Sequence, residues 1–149
     1  MTFKEAIEKT GDIATAYKTG LLAIKQSDRQ SIKVKDTRSL EGSVDIDKAT
    51  SAKYPNESRW DYVIGHDKRV YFVEVHPAKT GNVTEMMNKL SWIKSWLKTN
   101  APDLNSYSSV APVFLWAATS SGIHIPKTSK EYRKVAKLNI IPKFPQLIG

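Results

Sequence analysis

The stretch RWDYVIGHDKRVYFVEVHPA, residues 59–78, decides the fold because it contains two apolar segments separated by a short polar turn. Trp60 to Gly65 and Arg69 to His76 are rich in β-branched and aromatic residues, which favours two strands. The intervening His66-Asp67-Lys68 is prone to turn, and Pro77 ends the second segment. The sequence therefore predicts an antiparallel hairpin.

Two acids, Asp61 and Glu74, interrupt the apolar character of this hairpin. A turn at Asp67-Lys68 pairs Gly65 with Val70, and the same register places Asp61 opposite Glu74. Directly opposed residues of an antiparallel pair have Cβ atoms about 4.5–5.5 Å apart. Like charges at that distance repel each other, so we expect a cation between them.

A hard divalent cation suits such a pair of acids. Mg²⁺ takes one or two carboxylates and completes its shell with water and phosphate oxygens. Such an ion activates water and stabilises the charge that develops on a phosphodiester. Two alternatives stay open: both acids pair with Lys or Arg at a solvated sheet edge, or a one-residue shift in register turns Glu74 to the other face.

Side chains of a strand alternate between the two faces of the sheet. One face is predicted to carry Asp61, Val63, Phe72, Glu74 and His76. The opposite face is predicted to point into the core with Tyr62, Ile64, Tyr71, Val73 and Val75. The two acids would thus lie away from the main core.

The rest of the chain alternates helical and strand patterns. Helices are predicted at Phe3–Lys25, Asn82–Thr99 and Ser129–Leu138, and strands at Ile32–Val34, Ser43–Asp47, Val113–Ala118 and Ile123–Ile125. The segments 49–58 and 140–149 are interpreted as a loop and a proline-punctuated tail. A length of 149 residues suits one domain, residues 1–149, of the mixed α/β class.

The positive charge is concentrated in the second half of the chain. Residues 1–75 contain 13 Lys and Arg against 12 Asp and Glu, whereas residues 76–149 contain 10 against 3. The second half would attract a polyanion. In the alternative interpretation, the lysines serve only solubility.

Several classes of protein are excluded or disfavoured by what the sequence lacks. It has no cysteine, which excludes disulfide scaffolds and cysteine nucleophiles. No segment has the pattern of a signal peptide or of a membrane span, so we expect a cytoplasmic protein without a membrane partner. It also lacks a glycine-rich phosphate loop, a zinc helix and a serine nucleophile elbow.

The stretch WDYVIGHDKRVYFVEVH, residues 60–76, resembles the PD-(D/E)XK, or restriction-endonuclease-like, nuclease superfamily. The resemblance implies a mixed sheet with an antiparallel β-meander, flanked by helices. It also implies that Asp61, Glu74 and the main-chain carbonyl of Val75 hold a catalytic Mg²⁺ or Mn²⁺. His76 occupies the position of the superfamily's lysine, which is a departure from the pattern.

The departure leaves the role of the missing lysine open. His76 is a candidate catalytic residue as a base, a phosphate donor or a metal ligand, and its pKa near neutrality makes each role conditional. Lys79, Lys89 and Lys94 are candidates for the missing cation. The superfamily often adds a further acid, and the candidates are Glu5, Glu8, Glu41, Asp45 and Asp47, the last two on one face of a predicted strand.

A partner surface is predicted on the last helix, where basic residues recur at intervals of three and four. The candidate nucleic-acid-binding residues are Lys79, Lys130, Arg133, Lys134 and Lys137. Trp92 and Trp96 lie four residues apart, and we expect them to pack under the first helix or in a dimer contact, with base stacking as the alternative. Relatives of this kind are commonly dimers, so the resemblance also implies a homodimer.

Three functions follow from these patterns, the third being a small protein-interaction or immunity-type protein whose charge serves only solubility. The first is a metal-dependent endonuclease or exonuclease that acts on DNA phosphodiester bonds, with RNA as the alternative substrate. The second is a catalytically inactive protein of the same fold that binds nucleic acid or a protein partner. Histidine in place of lysine keeps the second hypothesis open.

Overall fold

The computed structural model describes residues 1–149, and it contains one four-stranded mixed sheet with helices around it. The sheet has the order β2-β3-β4-β6, with β2 Leu40–Asp45, β3 Tyr62–His66, β4 Arg69–Val75 and β6 Val113–Ala117. Strands β2, β3 and β4 form an antiparallel meander, and β6 runs parallel to β4. The predicted mixed α/β class and the meander are confirmed.

Shorter elements complete the fold. The remaining strands are β1 Ile32–Val34, β5 Ala78–Lys79, β7 Ile123–His124 and β8 Gln146–Ile148, which form the parallel pairs β1-β8 and β5-β7. The helices are α1 Phe3–Glu8, α2 Gln26–Arg29, α3 Ile46–Thr50, α4 Val83–Asn100, α5 Pro102–Asn105 and α6 Lys130–Lys137. None of them combines the length and hydropathy that a membrane span requires.

The hairpin forms in the predicted register. Gly65 pairs with Val70 and Tyr62 with Val73 across β3 and β4. Asp67 and Lys68 have φ angles of 48° and 58°, so both adopt the left-handed conformation that a type I′ hairpin turn requires. This two-residue turn matches the twist of the strands, and it fixes which residues of β3 and β4 lie opposite each other.

Both faces of the sheet are buried, which corrects the prediction that only one face points into the core. Tyr62 and Val73 belong to a cluster of eight buried residues on one face. Val63 and Phe72 belong to a cluster of 24 buried residues on the other face, the face that also carries Glu74. Residues of the two clusters alternate along β4, so other parts of the chain cover both of its faces.

The prediction of one helix from Phe3 to Lys25 is wrong. The side chain of Thr2 and that of Glu5 form a capping box that begins α1, but the helix ends at Glu8. A short 3₁₀ turn and irregular chain follow, including Gly20 with a φ of 52°. The spaced apolar residues are nevertheless buried, because the irregular chain wraps around the sheet.

The helices and strands later in the chain agree better with the predictions made from the sequence. Helix α4 and strand β6 lie within a residue or two of their predicted bounds, and Ser129 begins α6 by accepting a hydrogen bond from the backbone N–H of Tyr132 at 3.1 Å. The predicted tail, residues 140–149, is partly wrong. Its last residues form β8, which pairs with β1 through Ile32 opposite Gln146.

Replacing Gly65 by alanine should lower the free energy of unfolding by about 1–3 kcal/mol, because an added Cβ overpacks the core. That Cβ would lie 2.6–2.9 Å from ring atoms of the buried Phe3. Urea denaturation measures the change. Gly81→Ala is the matched control, since nothing lies within 4 Å of its added Cβ, and equal effects of both substitutions would contradict the close approach.

Candidate active site

The carboxylates of Asp61 and Glu74 are interlocked at the end of the hairpin. Asp61 immediately precedes β3 and Glu74 lies near the end of β4. The backbone N–H of Asp61 donates to Oε1 of Glu74 at 2.9 Å, and the backbone N–H of Val75 donates to Oδ2 of Asp61 at 3.0 Å. Each acid therefore bonds to the strand that carries the other, so the predicted adjacency of the two side chains is confirmed.

Lys89 on α4 supplies a cation to this pair. Its Nζ lies 3.1 Å from Oε2 of Glu74 and donates to the carbonyl of Arg59 at 3.0 Å. The Glu74 side chain is 2% exposed and that of Lys89 15% exposed, so this ion pair is buried. Of the three lysines that the sequence left open, the structure brings only this one to the acids: Lys79 is exposed on β5, and Lys94 lies over the ring of Phe114.

Burial raises the pKa values of both acids. Burial raises the pKa of Asp61 to about 6, against the opposing effect of the Lys89 ammonium. Burial, and then the neighbouring Asp61 charge, raise the pKa of Glu74 well above its usual value. Burial alone would lower the pKa of Lys89, but the Glu74 carboxylate holds it above its ordinary value. The cluster therefore retains protons that exposed carboxylates release.

His76 does not contact the two acids by a hydrogen bond. Its Nε2 lies 3.1 Å from Oε2 of Glu85, and its Nδ1 lies 3.0 Å from the carbonyl of Pro77. The ring meets that of Trp116 edge to face, with centroids 6.5 Å apart. Both ring nitrogens are thus engaged away from Asp61 and Glu74.

The candidate acids on α1 and Glu41 on β2 form no contact with Asp61 or Glu74. Glu5 accepts a hydrogen bond from the backbone N–H of Thr2 at 2.8 Å, and Glu8 is exposed on α1. Glu41 accepts hydrogen bonds from the backbone N–H of Lys68 and from the hydroxyl of Tyr107. These contacts begin a helix and brace the hairpin turn.

The prediction that Asp45 and Asp47 share one strand face is wrong. Strand β2 ends at Asp45, whose Oδ1 begins α3 by accepting a hydrogen bond from the backbone N–H of Lys48 at 2.9 Å. Asp47 lies in the first turn of α3 and forms an ion pair with Arg59 at 2.8 Å. An aspartate that caps a helix ends the strand alternation on which the prediction depended.

Asp61 and Glu74 carry carboxylate oxygens, which are the ligand type that a hard divalent cation takes. The structure contains no group of three or more His, Asp or Glu side chains arranged as metal ligands. Mg²⁺, however, needs only one or two carboxylates when water and phosphate oxygens complete its shell. A cation would offset the Asp61 charge that helps to raise the pKa of Glu74. The role of the Val75 carbonyl remains a prediction.

The candidate nucleic-acid-binding residues are exposed. On α6 the exposed cations are Lys130, Arg133, Lys134 and Lys137, opposite the buried Val135. Arg133 also donates to the carbonyl of Thr128 at 3.1 Å. The predicted basic face of the helix is confirmed as a surface, and its contact with a nucleic acid remains a prediction.

The two tryptophans pack within the chain. Trp96 is buried and its indole N–H donates to Oδ2 of Asp12 at 3.0 Å, in the 3₁₀ turn that follows α1. Trp92 stacks on Trp96 with centroids 5.9 Å apart, and its indole N–H donates to Glu57 at 3.1 Å. The predicted packing against the first segment of the chain is confirmed, and these rings hold the 51–59 segment on α4.

Sequence reasoning missed Arg59 and Glu85 near the candidate site. Glu85 pairs with His76 and lies four residues before Lys89, so both project from one side of α4. That spacing places Glu85 and Lys89 on the same side of α4, but it does not by itself distinguish Lys89 from the other two lysines.

Comparison of the chain with protein-family models, with curated proteins and with solved structures found no match. The site is therefore interpreted from its own residues and distances. Membership of the PD-(D/E)XK superfamily remains a prediction from residues 60–76.

Proposed function

We propose that the chain is a metal-dependent, nuclease-like protein that acts on DNA phosphodiester bonds. The observation that supports the proposal best is the interlocked pair Asp61 and Glu74, with the Lys89 amine 3.1 Å from the second carboxylate. A fold needs no such cluster, because apolar residues often stabilise a buried position at least as well as ions do. Buried acids with raised pKa values are typical of functional sites.

In this proposal Asp61 and Glu74 hold Mg²⁺ or Mn²⁺, which when bound supplies a Lewis acid and activates water. The chain orients the two carboxylates through the backbone N–H groups of residues 61 and 75. The Lys89 ammonium opposes the rise in the pKa of Glu74, and it can donate to a phosphate oxygen. It thereby takes the role that the superfamily pattern gives to a lysine at the position of His76.

His76 has a positioning role in this proposal. It pairs with Glu85, one helical turn before Lys89, and so links the end of β4 to α4. The link fixes the side of the helix that faces Glu74. We assign no proton transfer to His76, since both of its ring nitrogens are engaged by Glu85 and Pro77.

The partner that fits this chemistry is DNA in the cytoplasm, with RNA as the alternative. The excess of base over acid in residues 76–149 would attract a polyanion. Lys79 and the four cations of α6 are exposed and free to contact phosphates without reading sequence. Self-association into a homodimer remains a prediction.

A cleavage assay on duplex, branched and single-stranded DNA with Mg²⁺ tests the proposal. Asp61→Asn and Glu74→Gln should each lower the cleavage rate by about a hundredfold, since each removes a charge that holds the ion. Glu8→Gln is the control, because Glu8 is exposed on α1 far from these contacts. Cleavage that survives both site substitutions unchanged would show that the acids do not carry the reaction.

The inactive alternative has an observation in its favour. Both oxygens of Glu74 are already engaged, by the backbone of Asp61 and by Lys89, and the side chain is almost completely buried. A metal would therefore have to displace part of this network. An inactive binding protein should show no cleavage, while its DNA affinity falls steeply between about 50 and 200 mM salt and survives both substitutions.

A further inference from the structure

A surface cavity lies beside the 3₁₀ turn that follows α1, and it is distinct from the candidate active site. It has a volume of about 610 Å³, and its walls come from residues 12–18, 22–29 and 45–49. This size is typical of small-molecule sites. Neither Asp61 nor Glu74 lines it, so the nuclease proposal leaves the cavity without a role.

The cavity carries an excess of positive charge that the protein does not neutralise. Four cationic side chains line it, namely Lys18, Lys25, Arg29 and Lys48. None of them takes part in any of the ion pairs of the structure. Of the two acids in the lining, Asp12 is already paired with Lys53 at 2.8 Å. All four are exposed, and cations that line one cavity without an ion-pair partner favour an anionic ligand.

The other walls suit a flat, largely apolar group. Ile13 and Ile24 are buried at the base of the cavity, and Leu22 is exposed at its rim. Asp45 is partly buried in the lining, and only one of its oxygens accepts a hydrogen bond, from the backbone of Lys48. The second oxygen can accept a bond from an amino group, and burial raises the pKa of this carboxyl. A nucleobase combines an apolar face with an edge of such donors.

The walls of the cavity are attached to the strand that carries Asp61. The carbonyl of Asp61 accepts a hydrogen bond from the backbone N–H of Ile46, at 2.8 Å, where α3 begins. The hydroxyl of Tyr62 donates to Asp28 at 2.6 Å and accepts from the backbone N–H of Lys25 at 3.2 Å. Both walls are therefore positioned by residues 61 and 62.

We propose that this cavity binds one nucleotide, with its phosphate against the unpaired cations and its base against the apolar wall. The inference rests on the proposed function in one respect, which is that the nucleotide belongs to the DNA strand that the protein acts on. The binding itself requires only the cavity.

Isothermal titration with deoxyadenosine monophosphate tests the inference. We expect the nucleotide to bind at least about tenfold more tightly than either deoxyadenosine or inorganic phosphate, since each of these lacks half of the contacts. Lys25→Glu with Lys48→Glu should weaken nucleotide binding by about tenfold or more. Lys98→Glu with Lys127→Glu, which makes the same charge change at exposed positions outside the cavity, should leave it unchanged.

The remaining outcomes separate this inference from the nuclease proposal. Glu74→Gln should lower the cleavage rate by about a hundredfold but leave nucleotide affinity unchanged, because Glu74 does not line the cavity. Nucleotide binding without any cleavage would support the cavity and contradict the nuclease. Three results would each overturn the inference. They are cleavage by a protein that binds no nucleotide, a nucleotide affinity equal to that for phosphate alone, and a loss of nucleotide affinity in Glu74→Gln. Circular dichroism of every variant confirms that it is folded.

Discussion

Replacing Lys89 by methionine should lower the free energy of unfolding by about 3–5 kcal/mol, since it leaves a buried carboxylate without its cation. Glu74 is 2% exposed, and no other cation lies within 4.0 Å of its carboxylate. Methionine keeps most of the packing volume of lysine, so the loss reflects charge more than a cavity. Urea denaturation near neutral pH measures it.

Two further variants show whether the ion pair is responsible. Lys94→Met changes an exposed lysine on the same helix and should alter stability by no more than about 0.5 kcal/mol. Lys89→Met combined with Glu74→Gln should recover at least half of the loss, because no unpaired charge remains buried. If Lys89→Met alone is as stable as the parent protein, Glu74 does not form a stabilising ion pair with this lysine.

The parts of the site that sequence predicted are those that local geometry determines. Asp67 and Lys68 adopt the left-handed conformation of a two-residue turn, and that turn alone fixes the register of β3 and β4. Once the register is known, the adjacency of Asp61 and Glu74 follows from the alternation of side chains. No contact with a distant part of the chain is needed for this step.

The choice among Lys79, Lys89 and Lys94 could not be made from sequence. It depends on how α4 is rotated about its axis and where it crosses the sheet, and packing of the whole core determines both. The buried side of α4 includes Leu90 and Ile93, and this packing turns Lys89 towards Glu74. Amphipathic spacing identified the helix but did not say which of its polar residues lie at the edge of the core.

The prediction of one helix in the first segment of the chain was wrong for a related reason. Apolar residues such as Ile7, Ile13 and Ile24 recur at spacings that a helix would explain, and all three are buried. Irregular chain that bends around a sheet can bury the same residues without helical hydrogen bonds. Strand β8 was missed because its partner, β1, lies near the opposite end of the sequence.

Raising the pH from about 4 to about 8 should destabilise the parent protein by about 2 kcal/mol relative to Asp61→Asn. The pKa of Asp61 is about 6 in the folded chain, above its ordinary value of 3.8. The folded state therefore binds this proton more tightly than the unfolded state. The resulting stabilisation is fully present below the unfolded pKa and is lost as the pH rises through 6. Urea denaturation at a series of pH values measures the difference.

Comparison with the variant removes the effect of carboxylates that do not interact with Asp61, while Asp61 and Glu74 titrate as a pair. Hydrogen bonds hold the pKa of Asp36 below its ordinary value, so its ionisation stabilises the folded protein as the pH rises. This contribution is the same in the parent protein and in Asp61→Asn, and it cancels in the comparison. Parallel curves for the parent and Asp61→Asn would show that Asp61 ionises normally.

Adding Mg²⁺ above pH 6 tests whether the ionised Asp61, which causes this loss of stability, also binds the proposed metal ion. A cation that binds the ionised acids stabilises the folded state, by about 2.7 kcal/mol at a concentration one hundred times its dissociation constant. Mg²⁺ should therefore restore the stability that the parent protein loses at high pH, and it should have little effect on Asp61→Asn or below about pH 4, where the carboxylates are protonated. Stabilisation by Mg²⁺ that is equal in both proteins would place the ion elsewhere, whereas stabilisation confined to the ionised parent requires that it bind Asp61.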